Sequence, residues 1–439
     1  MKLLTYGIYL VVLCLPLYLV RFEIFGIPTT VLEVLIYALF VFWLIKKLSQ
    51  NTKYKIRGTK YKSLFIPIIL IVIGASLAII FSTDLRASAG IWKAWFLDPL
   101  LFFVVVITTI KNLKQIKGVL YSLFLSGAVV SVISLIYLIQ GKLDPFGRLQ
   151  AFYDSPNYLA MYLAPALIIG LGFISKKVFQ PSLNACSRPN KLAHFGEPSE
   201  NDPLATLGAL VPASLLARFT YLVTSLAKSF RLEYLFVIAI VFALCFTKSF
   251  GAWIGIIAAV CFGVVFYLYK SGRKQFALTI LYLVLLIIVF LGYFALIQKE
   301  SSFDARIVIW QEAWEVFKAN PILGIGPGTF GNYFPPYPEL GVPQPHNIFL
   351  AFLLQTGIIG FIGFIWLLIW FFRTGAKLLT VHCSLFTVTL MSVMVYILVH
   401  GLVDTTYWKN DLSVIFWIIV ALMVVLKNRL DIRHLRIGV

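Results

Sequence analysis

Along this chain apolar positions come in long runs, and the polar stretches between them carry most of the charge. The runs have about the length a helix needs to cross a bilayer, roughly 17 to 25 residues. They predict helices over 3–20, 27–45, 64–82, 94–110, 117–140 and 156–174. After a long polar break further helices are expected over 232–247, 249–269, 276–297, 347–372, 383–403 and 411–426, the first of these being the shortest. The expected fold is an all-α polytopic integral membrane protein of about 12 transmembrane helices, with one sizeable extracytoplasmic loop between the ninth and tenth. Met1 to Val20 has an apolar stretch behind Lys2 but no small-residue cleavage site, so it reads as a retained first helix.

Composition agrees with lipid as the solvent. The 439 residues are 60% hydrophobic and only 13% charged, with a mean hydropathy of +0.92. A soluble chain carries about 25% charged residues, so this one has too little polar surface to cover a water-soluble fold. A formal net charge of +19 would suggest nucleic acid in a soluble protein. Here the charge reports topology instead. With the amino terminus inside, 27 of the 37 Lys and Arg residues fall on cytoplasmic segments and ten outside, and every cytoplasmic loop is basic. Both termini are then cytoplasmic, and the bilayer rather than nucleic acid is the expected surroundings. Cys14, Cys186, Cys245, Cys261 and Cys383 stand singly, without metal-ligand spacing, so neither a disulfide framework nor a zinc site is expected.

Two extramembrane segments stand out. Residues 175–231 form a cytoplasmic insertion, polar at first and then amphipathic, with Leu215, Phe219, Leu222, Leu226 and Phe230 near Arg218, Lys228 and Arg231. That pattern suits a helix lying on the inner membrane surface, or a variable tether, and it carries no chemistry. Residues 298–346 face outward. Ser302-Phe303-Asp304 can cap a helix on which Arg306, Trp310, Trp314 and Phe317 share a stripe, ending before Asn320-Pro321; Gly324, Gly326 and Gly328 then give a flexible turn.

Ionisable groups near hydrocarbon are costly, so those kept at the outer helix ends are candidates for function. They are Arg86, Lys93, Arg148, Asp154, Asn157, Lys248, Arg306, His346 with Asn347, and His400 with Asp404. Arg306 and Lys248 could bind an anion such as a diphosphate. An imidazole titrates near neutrality, so His346 could accept a proton from a hydroxyl nucleophile. Each has a plainer reading. Arg306 could anchor a surface helix at the headgroups, His346 could cap the tenth helix, and His400 could hydrogen-bond Asp404 four residues on. The glycine run GIGPG (324–328) lacks the preceding strand that a nucleotide-binding loop needs.

Several stretches are similar to the O-antigen ligase and O-antigen polymerase superfamily of bacterial membrane glycan transferases. His346-Asn347, nine residues and Gly357-Ile-Ile-Gly360 resemble its HN-x9-GxxG signature. RIVIWQEAWEVFKANPILGIGPGTF (306–330) is similar to its Arg and aromatic helix with the glycine-rich ending. GRLQAFYDSPNYLAMYLAP (147–165), TKSFGAWIG (247–255) and HGLVDTTYWKND (400–411) resemble further family segments, in family order. Two positions depart: Phe250 stands where the family has arginine, which passes any cationic role to Lys248, and Gln355-Thr356 replaces a common acidic residue.

The resemblance runs over 147–411 and implies a ligase-like catalytic region there, preceded by transmembrane helices over 1–146 that rest mainly on hydropathy and followed by a last helix with a basic tail over 412–439. It implies a protein of the bacterial inner membrane that moves a glycan from a polyprenyl (undecaprenyl-type) diphosphate carrier to an acceptor hydroxyl at the outer leaflet. It further implies an inverting reaction without metal or other cofactor, with His346 as base, Arg306 as principal diphosphate contact, and Arg148 and Lys248 as supporting cations. Asn347, Asn157, Asp404 and His400 are the remaining candidate substrate contacts. The acceptor is a glycan, lipid or protein, and ligase and polymerase are not separated. A multi-span transporter or flippase of lipid-linked glycans or small anions is the alternative, although a carrier would concentrate its polar groups near the bilayer midplane rather than at outer helix ends.

Overall fold

A computed structural model describes residues 2–49, 62–186, 232–270, 273, 275, 301–333, 344–381 and 384–437. The span expected over 276–297 and the amphipathic stretch 215–231 lie outside the described residues.

Helix α1 (Lys2–Leu13) stops short of residue 20 and gives way to a 3-10 turn (Leu15–Leu19) with Pro16 in its first turn, where a missing N–H costs nothing. The next element departs from the expected all-helical chain. Residues 27–30, expected to open the second span, form β2 (Ile27–Thr30), paired antiparallel with β1 (Arg21–Ile24). Phe25 and Gly26 between them are left-handed, at φ 52° and 74°, the two-residue turn whose twist suits a hairpin. A hydropathy window cannot separate an apolar strand from an apolar helix, so α2 begins only at Val31 and runs to Ser49.

Helix α3 covers Lys62–Ile80. Helix α4 (Leu85–Trp92), a π-helical turn (Lys93–Leu97) and α5 (Asp98–Thr109) make one continuous rod. Helix α6 (Leu113–Ile139) starts at a capping box, in which Asn112 accepts from the Gln115 N–H while the Gln115 side chain accepts from the Asn112 N–H. Helix α7 (Pro156–Cys186) runs past the expected end at 174 into the residues assigned to the insertion. There follow α8 (Leu232–Thr247), α9 (Phe250–Lys270), α10 (Ser301–Ala319), α11 (Ile348–Val381), α12 (Leu385–His400) and α13 (Asn410–Ile437). Among the described residues six stretches are long and apolar enough to cross a membrane, and Lys2–Leu13, Leu232–Thr247, Phe250–Phe266 and Leu385–His400 are shorter apolar helices.

The span of α13 is the centre of the bundle, 89% buried against 39% for that of α3. Small residues set the close approaches, as they must where lipid offers no hydrophobic drive for helices to associate. A Cβ on Gly74 of α3 would lie 2.4 Å from the Gly360 nitrogen of α11, and one on Gly255 of α9 would lie 2.8 Å from the Tyr396 ring of α12.

Helix α11 is broken at Gly357, whose φ of 62° and ψ of −176° are non-helical. The break is where the outer segment docks. The Ile325 N–H donates to the Leu354 carbonyl (2.8 Å) and the Ile358 N–H to the Pro321 carbonyl (3.1 Å). A Cβ on Gly357 would sit 2.1 Å from the Ile322 carbonyl oxygen. Gln355 completes the clasp: its Oε1 accepts from the Gly328 N–H (2.6 Å) and its Nε2 donates to Gln344 (2.8 Å).

The connections containing the hairpin and residues 81–84, 140–155, 247–249, 320–333 and 401–409 all meet at one end of the bundle. Asn332 donates to Thr83 (3.0 Å), the Leu149 N–H to the Phe246 carbonyl (2.8 Å), and the Ile348 N–H to the Gly401 carbonyl (2.7 Å). At the opposite end Gln115 donates to Thr5 (3.1 Å).

Candidate functional site

Pro345 leads into His346, whose backbone is left-handed at φ 46°, an uncommon conformation outside glycine and one concentrated at functional positions. Asn347 follows as the cap of α11, its Oδ1 accepting from the Phe349 (2.9 Å) and Leu350 (3.1 Å) N–H groups. Its Nδ2 donates to the Leu402 carbonyl (3.0 Å). The cap at this helix start is therefore Asn347 and not His346. With both amide ends in use, Asn347 holds the start of α11 against the turn that follows α12.

That turn carries Asp404 to His346, with Nδ1 and Oδ1 3.1 Å apart. The carboxylate is buried, its side chain 4% exposed, whereas the imidazole is 31% exposed. The Thr405 N–H donates to the same Oδ1 (2.9 Å), and Asn157 Nδ2 donates to Oδ2 (2.8 Å). Arg148 Nη2 in turn donates to Asn157 Oδ1 (2.7 Å), and its Nε to the Thr247 carbonyl (3.0 Å). Four sequence-distant candidates, Arg148, Asn157, His346 and Asp404, thus form one continuous chain of hydrogen bonds. Burial alone would raise the Asp404 carboxyl. The charge and hydrogen bond of His346, then His400 and Arg306, overcome that and hold it well below its ordinary range.

Arg306, on α10, bears electrostatically on Asp404 and on Arg148. Burial lowers the Arg148 guanidinium from its usual value, Asp144 and Asp404 oppose the shift, and the repulsion of Arg306 reinforces it. Asp144 also builds the turn that presents Arg148, accepting from the Phe146 (2.9 Å) and Arg148 (2.8 Å) N–H groups. Lys248 is exposed and left-handed (φ 49°), and its Nζ lies 3.6 Å from where a Cβ on Gly147 would be, beside Arg148. Two guanidiniums, those of Arg148 and Arg306, thus bear on the His346 and Asp404 pair, with Lys248 placed beside the Arg148 turn.

The remaining candidates are elsewhere. His400 is buried, and its Nδ1 bonds the Tyr396 hydroxyl (2.8 Å). The expected side-chain bond to Asp404 is replaced by a backbone bond from the Asp404 N–H to the His400 carbonyl (3.1 Å), because α12 ends at His400 and residues four apart share a face only while a helix continues. Gly251 of α9 packs on the His400 ring, where a Cβ would lie 3.2 Å from Nε2. Lys93 pairs with Glu33 (2.7 Å), Arg86 Nη2 donates to the Gly26 carbonyl (3.4 Å), and Asp154 accepts from Lys409 (2.5 Å).

The hydropathy reading passed over a second polar cluster. Glu33 accepts from Lys93 and from Thr29 (2.9 Å) at Oε2, and from Asn410 (3.3 Å) at Oε1. Trp95, in the π turn, donates from its indole to Asn410 (3.0 Å), and its carbonyl accepts the Tyr407 hydroxyl (2.6 Å). A π turn loosens the usual ladder of carbonyl acceptors, and here one is given to a side chain. The cluster anchors the end of the connection that carries Asp404. An acidic residue at the start of an apolar run was the available signal.

Residues 235–365 match the family model of the O-antigen ligases, and the match bears out the resemblance to the O-antigen ligase and polymerase superfamily. It covers α8 to the middle of α11, with Arg306 and His346 inside and Arg148, Asn157 and Asp404 outside. No curated protein matches the chain. The matched region and the apolar helices support an O-antigen ligase-like, glycan-processing function in a membrane.

Proposed function

We propose, from the O-antigen ligase match over residues 235–365 as premise, that this protein transfers a glycan from a polyprenyl diphosphate carrier to an acceptor hydroxyl. His346 is the general base. The observation that carries the reading is the half-open imidazole whose Nδ1 is committed to a buried carboxylate. An ionised Asp404 only accepts hydrogen bonds, so Nδ1 carries the proton and Nε2 keeps the lone pair. As Nε2 takes the acceptor's proton, the acceptor oxygen bonds to the anomeric carbon on the face opposite the carrier. The bond from that carbon to the diphosphate oxygen breaks with its electron pair leaving on the diphosphate, and the configuration inverts. Asp404 stabilises the imidazolium that forms, the role a carboxylate plays in a catalytic triad.

Arg306 is the principal contact of the departing diphosphate, with Arg148 and Lys248 supporting it. Cations fixed before the reaction stabilise the charge that develops, without waiting for solvent to reorganise. The donor is already activated, so the reaction calls for no metal. Asn157 and Asp404 hold the site rather than the sugar in this reading, and His400 and Asn347 act through packing and capping. The described helices, together with the apolar run 276–297, fit a twelve-span topology with both termini cytoplasmic. His346 then faces the outer leaflet, and residues 147–411 form the catalytic region.

The test is transfer from a polyprenyl diphosphate glycan by the purified protein in lipid, with glycan, lipid and protein acceptors, with and without a chelator. His346→Ala is expected to lose about 10² to 10⁴ in rate, the usual worth of a general base. Arg306→Ala should be similarly impaired and the chelator without effect. Full turnover by both variants would sink the assignment, and sensitivity to the chelator would sink the metal-free reaction.

A further inference from the structure

The hairpin formed by β1 and β2 is apolar on its outside. Phe22, Ile24 and Ile27 are 40%, 42% and 59% exposed, and Phe25 at the tip is 100% exposed. An isolated two-stranded hairpin is marginal in water, and apolar residues on its outside add nothing to its stability there. Its depth in the bilayer can be read from the rod beside it.

The rod from Leu85 to Thr109 has 25 residues, about 37 Å at roughly 1.5 Å per residue, against about 30 Å of hydrocarbon. Lys111 follows at one end and marks that boundary. Roughly the first five residues of α4 therefore project past the other boundary, into the headgroups. The hairpin is tied to this end of the rod. Lys93, in the π turn, donates to the Pro28 carbonyl (3.1 Å), and Arg86 Nη2, nearly two turns farther out in the projecting piece, donates to the Gly26 carbonyl (3.4 Å). The hairpin thus runs outward along α4 from the edge of the hydrocarbon to the headgroup layer, with its apolar tip in that layer. Arg86 stands beside the tip with charge suited to lipid phosphate, with the acidic Asp84 capping the same helix end.

We propose that the hairpin is an interfacial anchor, with Phe25, Ile24 and Ile27 seated at the headgroup–acyl boundary of the leaflet at the His346 end of the bundle. Lipid is the occupant, because the length of the rod carries Arg86, which holds the tip, past the hydrocarbon and into the headgroup layer. Apolar side chains at such a boundary with basic groups beside them are the pattern of peripheral membrane insertion. The hairpin would hold the start of α2, and with it Glu33, at a fixed depth.

A spin label on Phe25→Cys, in full-length protein whose five native cysteines are serine and which is reconstituted in bilayers, reads this directly. The label should collide with oxygen severalfold more often than with a water-soluble nickel chelate, with a smaller excess than a label on Ile73→Cys in the middle of α3. Phe25 has no packing partner to lose, so the label leaves the fold intact. A label more open to the chelate than to oxygen would place the tip in water, and one closed to both would place it under protein. Either result overturns the anchor, and neither bears on glycan transfer, which is assayed separately.

Discussion

Two polar clusters lie at the same end of the bundle and differ in how their charge is balanced. Around Glu33 one carboxylate meets one ammonium, both carboxylate oxygens are occupied, and the side chain is 5% exposed. Around His346 the buried carboxylate of Asp404 meets a partly open imidazole and the charges of Arg148 and Arg306, with Asp144 as a further acid. The first cluster is closed by its own hydrogen bonds and ion pair, and so it fastens helices. The second sets two guanidiniums beside a partly open imidazole, a charge pattern suited to an anion.

The largest break in that contrast should come at Asp404. Asp404→Asn turns an ionised acceptor into an amide and leaves the His346 ring without its fixed tautomer, so turnover should fall about 10²-fold or more with little change in donor binding. Steady-state kinetics on reconstituted protein check it, and a change confined to KM would count against the pairing. The same residue has a pH signature. Its folded pKa is depressed, so its contribution to stability is present above the ordinary value of 3.8 and is lost only as pH falls through the lower folded value. The deficit of Asp404→Asn against wild type, measured by thermal unfolding in detergent, should therefore shrink under strong acid, as the wild-type carboxylate is protonated.

Glu33→Gln strips the counter-ion from Lys93, whose side chain is 23% exposed. A loss of roughly 2 kcal/mol is expected, less than for a fully buried pair. Adding Lys93→Met should restore much of that, since an uncompensated charge costs more than an apolar pair, and turnover per folded molecule should stay within a few-fold throughout. A collapse of turnover at full stability would erase the distinction between fastening and function. Gly357→Ala should cost about 1 to 3 kcal/mol, because φ is 62° and the added carbon would meet the Ile322 carbonyl. Proteolysis within residues 320–333 should report the undocked segment. The smallest effect is expected at exposed Lys248, where Lys248→Ala should lower kcat/KM only a few-fold.

How the site is assembled was only partly written in the chain. The HN-x9-GxxG spacing picked out His346, and the break at Gly357 shows why a glycine is needed there: the outer segment seats its carbonyls against the helix at that point. The pairing of His346 with Asp404 was not legible, since 58 residues separate them and the i, i+4 rule pointed Asp404 at His400 instead. The hairpin escaped notice because apolar strands and apolar helices look alike to a hydropathy window.

By itself the sequence determined the solvent and the helices. Burial of apolar runs in lipid and the cost of bare backbone polar groups there leave little choice but to form helices where such runs are long enough. It also determined which helix ends could afford ionisable groups. Only the tertiary structure decided which of those groups meet. A hydrogen bond depends on tenths of an ångström between residues far apart in the chain, and those distances are set by glycine-lined helix contacts and by docked connections, not by any local pattern. It was that packing that turned Glu33 and Lys93 into a closed pair and set a partly open His346 against the buried Asp404.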